Sequence, residues 1–214
     1  MGKGTYARRI APIHGLGHVS PGDLLRAAVA SRPDINDFLR QGKLVPESIV
    51  FSLVEERISV LRNQAGLRGV VLDGFPRSRE QAVGWFGSCS TRKPDLVVEL
   101  FLPEEILVQK ILGRRTCSCC GDLYNVFSFT EGEYRMPAMM PQKEGVCDKC
   151  GGSLVQRVDD TEEVIQKRLK NHSDTETELI EYIRNHICDN VIKFHVKTGI
   201  AQLDDLAGDI KQRL

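Results

Sequence analysis

Two cysteine doublets, Cys117-x-x-Cys120 and Cys147-x-x-Cys150, carry the sharpest chemical signal in the chain. Two residues between cysteines let both thiolates reach one ion from a tight turn, and two such turns complete a tetrahedral sulfur site. Four thiolates leave no open position, so the chemistry expected is structural zinc and not a catalytic ion. Gly121 after the first doublet and Gly151-Gly152 after the second supply the permissive backbone these turns need. Cys119 offers poorer-spaced alternatives, with Cys117 or with Cys120, and the expected ligands are Cys117, Cys120, Cys147 and Cys150. The competing readings are four separate reduced thiols or two disulfides. Seven cysteines, four of them in CxxC pairs and one odd, fit a reducing compartment better than a disulfide framework. Cys89 and Cys188 read as buried small side chains. Arginines frame the doublets, ending in Arg157-Val158-Asp159-Asp160, and suggest a metal-held flap that closes over phosphates.

A second set of residues also points to phosphate. Gly2-Lys3-Gly4-Thr5 has the form of the tail of a phosphate-binding loop, where the lysine reaches outer phosphates and the hydroxyl faces Mg²⁺ at a helix N-terminus. Four residues alone are weak; their weight comes from the helical Tyr6-Ala7-Arg8-Arg9-Ile10 that follows and from Asp73-Gly74-Phe75-Pro76-Arg77 after an apolar run. An acid there can orient metal-bound water, and an arginine beside it can fork onto a phosphate.

These side chains must be carried by a core. Length 214 and 41% hydrophobic residues allow one full core with a small insertion. Val50, Val54, Ile58 and Leu61 recur at helical spacing between Pro46 and Gln64. Val70-Val71-Leu72, bounded by Gly69 and Asp73-Gly74, lacks alternation and reads as a parallel strand buried on both faces. Leu96 to Leu102 reads as a second, and Pro103 then opens a helix through Ile106, Val108, Ile111 and Leu112. Such βαβα alternation argues for a doubly wound α/β sheet with ligands beyond the carboxyl ends of its strands. From Thr116 to about Arg157 periodicity disappears over roughly forty residues, an inserted subdomain that needs something other than a core to hold it. Asp160-Thr-Glu-Glu163 then has the spacing of an N-cap with its acidic partner, opening a helix through Val164, Ile165 and Leu169.

Twenty-nine basic and 29 acidic residues cancel, which argues against non-specific nucleic-acid binding. The sequence shows neither a run of about 18 apolar residues nor a signal segment, so neither a membrane span nor secretion is expected. A cytoplasmic monomer is the reading that follows, with an organellar location as the alternative. Arg8 and Arg9 read as solvated helix charges and Arg115 as a lid charge, while His14, His18, His172, His186 and His195 show no ligand spacing or catalytic partner.

Taken in order, Gly2-Lys-Gly-Thr5, Ser20-Pro-Gly-Asp-Leu-Leu-Arg26, Gly42-Lys-Leu-Val45, Asp73-Gly-Phe-Pro-Arg77, Gly113-Arg-Arg115, Cys147-Asp-Lys-Cys-Gly-Gly152 and Gln156-Arg-Val-Asp-Asp160 resemble the adenylate kinases of the long type, with a zinc-bearing lid. The stretches span nearly the whole chain. The resemblance implies a P-loop nucleoside monophosphate kinase fold, with a core at 1–115 and 161–214, a monophosphate-binding insertion at about 20–49 and a lid at 116–160. It implies transfer of the γ-phosphoryl group of MgATP to AMP, giving two ADP. Lys3, Arg77, Arg114, Arg157 and Arg168 would serve the transfer itself. Gly2, Lys3, Gly4, Thr5, Lys110, Arg114, Leu123, Tyr124 and Gln202 would meet ATP, with Thr5 and Asp73 associated with Mg²⁺. Pro21, Arg26, Lys43, Leu44, Val45, Gly74, Phe75, Pro76, Arg77 and Gln81 would hold AMP together with Arg157 and Arg168, Gln81 reading the adenine edge. Asp159 and Asp160 would touch lid arginines as well as cap the following helix.

Three departures from the family pattern stand out. The chain begins one residue before Gly2, without the family's first strand and half its loop, so the polypeptide as written is expected to be a truncated gene model or an inactive relative, binding ATP poorly. Pro21 replaces a threonine whose hydroxyl touches AMP, which is expected to weaken discrimination among monophosphates; Ser20 and Pro21 still suit the N-cap and first turn of a helix. Lys110 replaces a common arginine near ATP, a point charge in place of a planar fork. Other readings are a pseudokinase, a zinc-ribbon binding protein, or a kinase for another nucleoside monophosphate.

Overall fold

A computed structural model of the chain describes residues 2–41, 43–87 and 93–214, apart from the side chains of 168 and 171–174. Gly42 and Cys89 lie outside the described residues. In chain order come α1 (Lys3–Ile13), β1 (Leu16–Val19), α2 (Pro21–Ala28), α3 (Asp34–Gln41), α4 (Glu47–Arg62), β2 (Gly69–Leu72) and α5 (Arg79–Phe86). They are followed by β3 (Val97–Phe101), α6 (Glu104–Leu112), β4 (Arg114–Cys117), β5 (Leu123–Asn125), β6 (Phe129–Glu131), β7 (Tyr134–Met136) and β8 (Leu154–Val155). The chain ends with α7 (Glu162–His186), β9 (Val191–His195), a 3₁₀ turn over Gly199–Gln202 and α8 (Leu203–Arg213).

The apolar runs do form parallel strands, but in two separate two-stranded ladders, and β2 and β3 are partly exposed instead of buried on both faces. β1 pairs with β2 from Leu16↔Gly69 to Val19↔Leu72, and β3 pairs with β9 from Val97↔Val191 to Phe101↔His195. Parallel strands need long crossovers, and helices supply them here, α2 to α4 between the first pair and α6 and α7 between the second. The helical stripe read from α4 is buried at Val50, Val54 and Leu61.

Two apolar clusters hold these layers. The first gathers Val19, Val54, Phe75, Trp85 and Ile183 from β1, α4, the segment after β2, α5 and α7. The second gathers Tyr6, Ile10, Ile106, Phe194 and Leu206 from α1, α6, β9 and α8, and Tyr6 donates its hydroxyl proton to the Gly199 carbonyl.

Where periodicity disappears in the sequence, the chain folds as a small antiparallel sheet, ordered β5-β4-β8, with a separate β6–β7 hairpin. The hairpin reaches back to the main body. Met136, 1% exposed, belongs to the second apolar cluster. The Tyr134 hydroxyl lies 2.8 Å from His195 Nε2, Arg135 N donates to the Lys197 carbonyl at 2.8 Å, and Lys197 pairs with Glu133 at 2.7 Å.

One cap differs from the sequence reading. Thr161, not Asp160, caps α7, its hydroxyl accepting from Val164 N at 3.4 Å. Asp160 is withdrawn to Arg114, which donates from Nε to Oδ2 at 2.8 Å. The pairing wins because a buried carboxylate gains more from a guanidinium fork than from one backbone N–H. Among the described residues no helix is long and apolar enough to cross a membrane.

Candidate functional site

The Gly2–Thr5 segment opens α1, with Gly2 at the N-cap in a left-handed conformation, φ 56°. A Cβ at Gly4 would stand 3.1 Å from Asp73 Oδ2 and 3.7 Å from Leu123 Cδ1, so a glycine there lets β2's end and β5 approach the first helical turn. Asp73 thus reaches the helix start that also carries Lys3 and Thr5. Its Oδ2 lies 3.2 Å from His18 Nε2, a partner that spacing alone did not reveal. The Lys3 ammonium is held below its ordinary range by burial and then by Arg77, with Glu176 and Asp73 opposing. A cation destabilised in this way beside a helix N-terminus favours a bound anion.

After β2 the chain turns through Gly74, left-handed at φ 69°, and Arg77 Nε donates to the Gly74 carbonyl at 3.0 Å. Gln81, 3% exposed, accepts from Arg77 N at 2.9 Å through its amide oxygen, and Ser78 caps α5 by accepting from Gln81 N at 3.2 Å. The Phe75 ring packs edge-on against Phe51 and Trp85, so its side chain belongs to the core. Pro21 is buried at the start of α2. Ahead of α4, Lys43 and Leu44 are exposed while Val45 is buried.

Arginines converge next. Asp23 on α2 pairs with Arg26 at 2.5 Å, with Arg8 of α1 at 2.6 Å and with Arg157 at 3.6 Å. Burial opposes the Asp23 charge, but Arg26, Arg8 and Arg157 overcome it and hold the carboxyl down at about 2. Arg157 also donates from Nε to Thr116 Oγ1 at 3.1 Å. Burial, followed by repulsion from Arg114 and Arg26, pulls its guanidinium down to about 10. The cluster is therefore short of negative charge despite Asp23 and Asp160. Neither Arg8 nor Asp23 stands out in sequence; the i, i+3 spacing of Asp23 and Arg26 is the one local signal. Arg8 is no solvated helix charge, because α2 brings a carboxylate within reach of it. Arg115 is engaged locally, donating to the Leu112 carbonyl at 3.1 Å and the Arg114 carbonyl at 2.8 Å. Arg168 lies on α7, with its side chain outside the described residues, as are those of 171–174, including His172.

The four doublet cysteines come together. Cys117 and Cys150 Sγ are 3.5 Å apart, Cys120 and Cys147 Sγ 3.6 Å, and all four sulfurs lie within 4.8 Å of one another. Gly121 and Gly151 take left-handed conformations at φ 72° and 73°, as the turns require. A Cβ at Gly152 would stand 2.8 Å from Cys119 Cβ and 3.0 Å from Cys117 Sγ, so that position has no room for a side chain. Cys119 is exposed and outside the quartet. The Cys147 thiol is pulled down to about 6, burial opposing and the Tyr124 hydroxyl and backbone N–H groups prevailing. Such a quartet can hold a metal ion.

Beside it, a cleft of about 420 Å³ is lined by Arg9, Leu123, Tyr124, Met139, Met140 and Ile200. The Tyr124 hydroxyl is taken, 3.6 Å from Cys147 Sγ and accepting from Asp148 N at 2.8 Å. Gln202 is turned to the loop before it, its amide oxygen accepting from Lys197 N at 2.6 Å and Thr198 N at 2.8 Å. Lys110, its ammonium lowered by burial, offers its carbonyl to Asn125 Nδ2 at 2.7 Å.

The sequence model of the adenylate kinase family matches residues 1–188. An adenylate kinase of Thermodesulfovibrio yellowstonii is 41% identical over 187 residues, which cover 85% of this chain and 81% of that protein. Adenylate kinase 1, chloroplastic, of Arabidopsis thaliana is 38% identical over 209 residues, 94% of this chain and 71% of its own. A GTP:AMP phosphotransferase of Plasmodium falciparum is 31% identical over 211 residues, covering 96% and 89% respectively.

Proposed function

The chain belongs to the adenylate kinase family, and from that membership we propose that it transfers the γ-phosphoryl group of MgATP to AMP, giving two ADP. The observation that carries this reading is the arginine cluster: Arg26, Arg114 and Arg157 gather around two carboxylates, and Arg157 is destabilised as a cation, which is the electrostatics of a site waiting for phosphate. Phosphoryl transfer needs alignment and spread positive charge more than covalent chemistry. The AMP phosphate is already an anion, so no general base is required of the protein.

On this reading Arg26, Arg77 and Arg157 hold the AMP phosphate, with Lys43 to Val45 and Gly74 to Arg77 as its walls. Gln81, its amide oxygen held by Arg77 N, would read the adenine edge. Lys3 and the α1 N-terminus, with Arg114 and Lys110, take the ATP phosphates, and Arg168 completes the cation set. Thr5 and Asp73 are the residues that would orient the Mg²⁺ accompanying ATP and its water, and the ion would neutralise charge on the phosphates. Leu123, Met139, Met140 and Ile200 line the cleft that would take the rest of the donor.

The cysteine quartet is read as a zinc site. A tetrahedral ion with Zn–S near 2.3 Å puts its sulfurs about 3.8 Å apart, close to the separations here. Zinc would supply shape to the inserted sheet and take no part in the transfer. The allocation of 116–160 to a closing lid, the remainder to a core, and the monomeric state belong to the same proposal. Zero net charge supports small nucleotides as partners and not nucleic acid. CxxC pairs read as metal thiolates support a reducing compartment, either the cytoplasm or an organelle, as the word chloroplastic in the Arabidopsis relative's name suggests.

The test is ADP production by the purified chain, measured with each nucleoside monophosphate as acceptor and with ATP or GTP as donor. ATP with AMP is expected to be fastest. A folded chain that binds no AMP, or that turns over another monophosphate faster, would sink the assignment.

A further inference from the structure

Arg8 is placed where a surface charge has no reason to be. Its Nη2 donates to Asp23 Oδ2 at 2.6 Å, and a Cβ added at Gly121 would stand 3.6 Å from the same nitrogen. The side chain thus spans from α1 to α2 and to the first cysteine turn. Among the described residues its Nε is buried without a hydrogen-bond partner, a cost that an arginine on a solvated helix face avoids. The second oxygen of the same carboxylate, Oδ1, is shared between Arg26 Nη2 at 2.5 Å and Arg157 Nη2 at 3.6 Å.

We propose that Asp23 is an internal counter-anion of the phosphate site, and that Arg8 is a positioning residue acting through it, occupying one oxygen so that Arg26 and Arg157 share only the other. The inference rests on the reading of Arg26 and Arg157 as phosphate-binding. A free carboxylate matches the fork of a single guanidinium with both its oxygens. With Oδ2 committed to Arg8, neither Arg26 nor Arg157 receives Asp23 as a fork, and donors on both stay available to an incoming anion. Three guanidiniums against one carboxylate leave two positive charges, the complement of a phosphate monoester dianion. Without Arg8, Oδ2 turns to Arg26 and a phosphate must displace both oxygens to enter.

Calorimetric titration of AMP into the full chain tests this with Arg8→Gln, Asp23→Asn and the double variant. Arg8→Gln is expected to weaken AMP binding about tenfold, the order of one charge-assisted hydrogen bond. Arg8→Lys keeps the charge and one contact and is expected to lose about threefold. In the Asp23→Asn background the Arg8→Gln step changes affinity by less than about twofold, because the group through which Arg8 acts is gone. An Arg8→Gln chain with unaltered melting and AMP affinity overturns the proposal, as does a tenfold loss that persists in Asp23→Asn, which would mean direct contact or a long-range field. Should Arg8→Gln fail to fold, Arg8→Lys carries the same cycle with threefold as its signal. A folded wild-type chain that binds no AMP sinks the phosphate reading and this inference together, whereas wild-type binding with a flat cycle sinks the inference alone.

Discussion

Arg114 grips Asp160 side-on, Nε to Oδ2 at 2.8 Å and Nη2 to Oδ1, and the Asp160 side chain is wholly shielded from solvent. The pair joins the first strand of the inserted sheet to the residue just before the α7 cap. It therefore sets how the insertion leaves the main body, and it occupies the arginine that the proposed transfer needs.

Breaking one side of this pair leaves a buried charge without compensation. Arg114→Leu is expected to lower stability by about 3 kcal/mol, a value that already allows for the partial exposure of the guanidinium. Urea denaturation measures it, and a loss under about 1 kcal/mol would show that Asp160 finds another partner.

Met136 is the apolar anchor of the β6–β7 hairpin. Met136→Ala is expected to cost about 3 kcal/mol, through lost contact and the cavity left behind. Amide exchange over Tyr134–Met136 should accelerate more than exchange over β3 and β9; equal acceleration everywhere would mean that the hairpin has no anchoring role of its own.

The purified chain should carry one equivalent of zinc, read by elemental mass spectrometry. Cys120→Ser should lose the metal and lower the melting temperature, while Cys119→Ser should do neither, since Cys119 lies outside the quartet. Retention of metal by Cys120→Ser would move the ligand assignment to Cys119.

Asp23 carries a pH dependence. Its folded value of about 2 lies below the usual carboxylate value near 3.9, so the folded state binds fewer protons there than the unfolded chain does. Its stabilising contribution is complete above that unfolded value and is lost as pH falls toward about 2. Melting curves of wild type and Asp23→Asn should therefore converge across this window as acid is added. A gap that stays constant from pH 5 to about 2 would rule Asp23 out as the source.

Much of the fold is legible because apolar runs and helical stripes are local. Val70–Leu72 and the 96–102 run announce parallel strands, and Val50, Val54 and Leu61 announce the buried face of α4. The β6–β7 hairpin is not legible in the same way. Its strands are short, and Met136 is buried in a cluster whose other members include Tyr6, Phe194 and Leu206, far away in sequence. The α7 cap is illegible for a related reason: local spacing favours Asp160, but Arg114, 46 residues earlier, takes its carboxylate.

The chain by itself determined which chemistry was available: CxxC spacing brings four sulfurs together through bond lengths and turn geometry, and GKGT and DGFPR supply glycine turns beside cations. Only the tertiary structure decided how those groups are shared. Which oxygen of Asp23 each arginine takes, that Arg8 joins them, that His18 meets Asp73, and that Tyr124 and Gln202 spend their polar atoms on the scaffold all depend on contacts between distant elements. Electrostatic energy falls with distance and rises with burial, and neither quantity exists until the chain has folded.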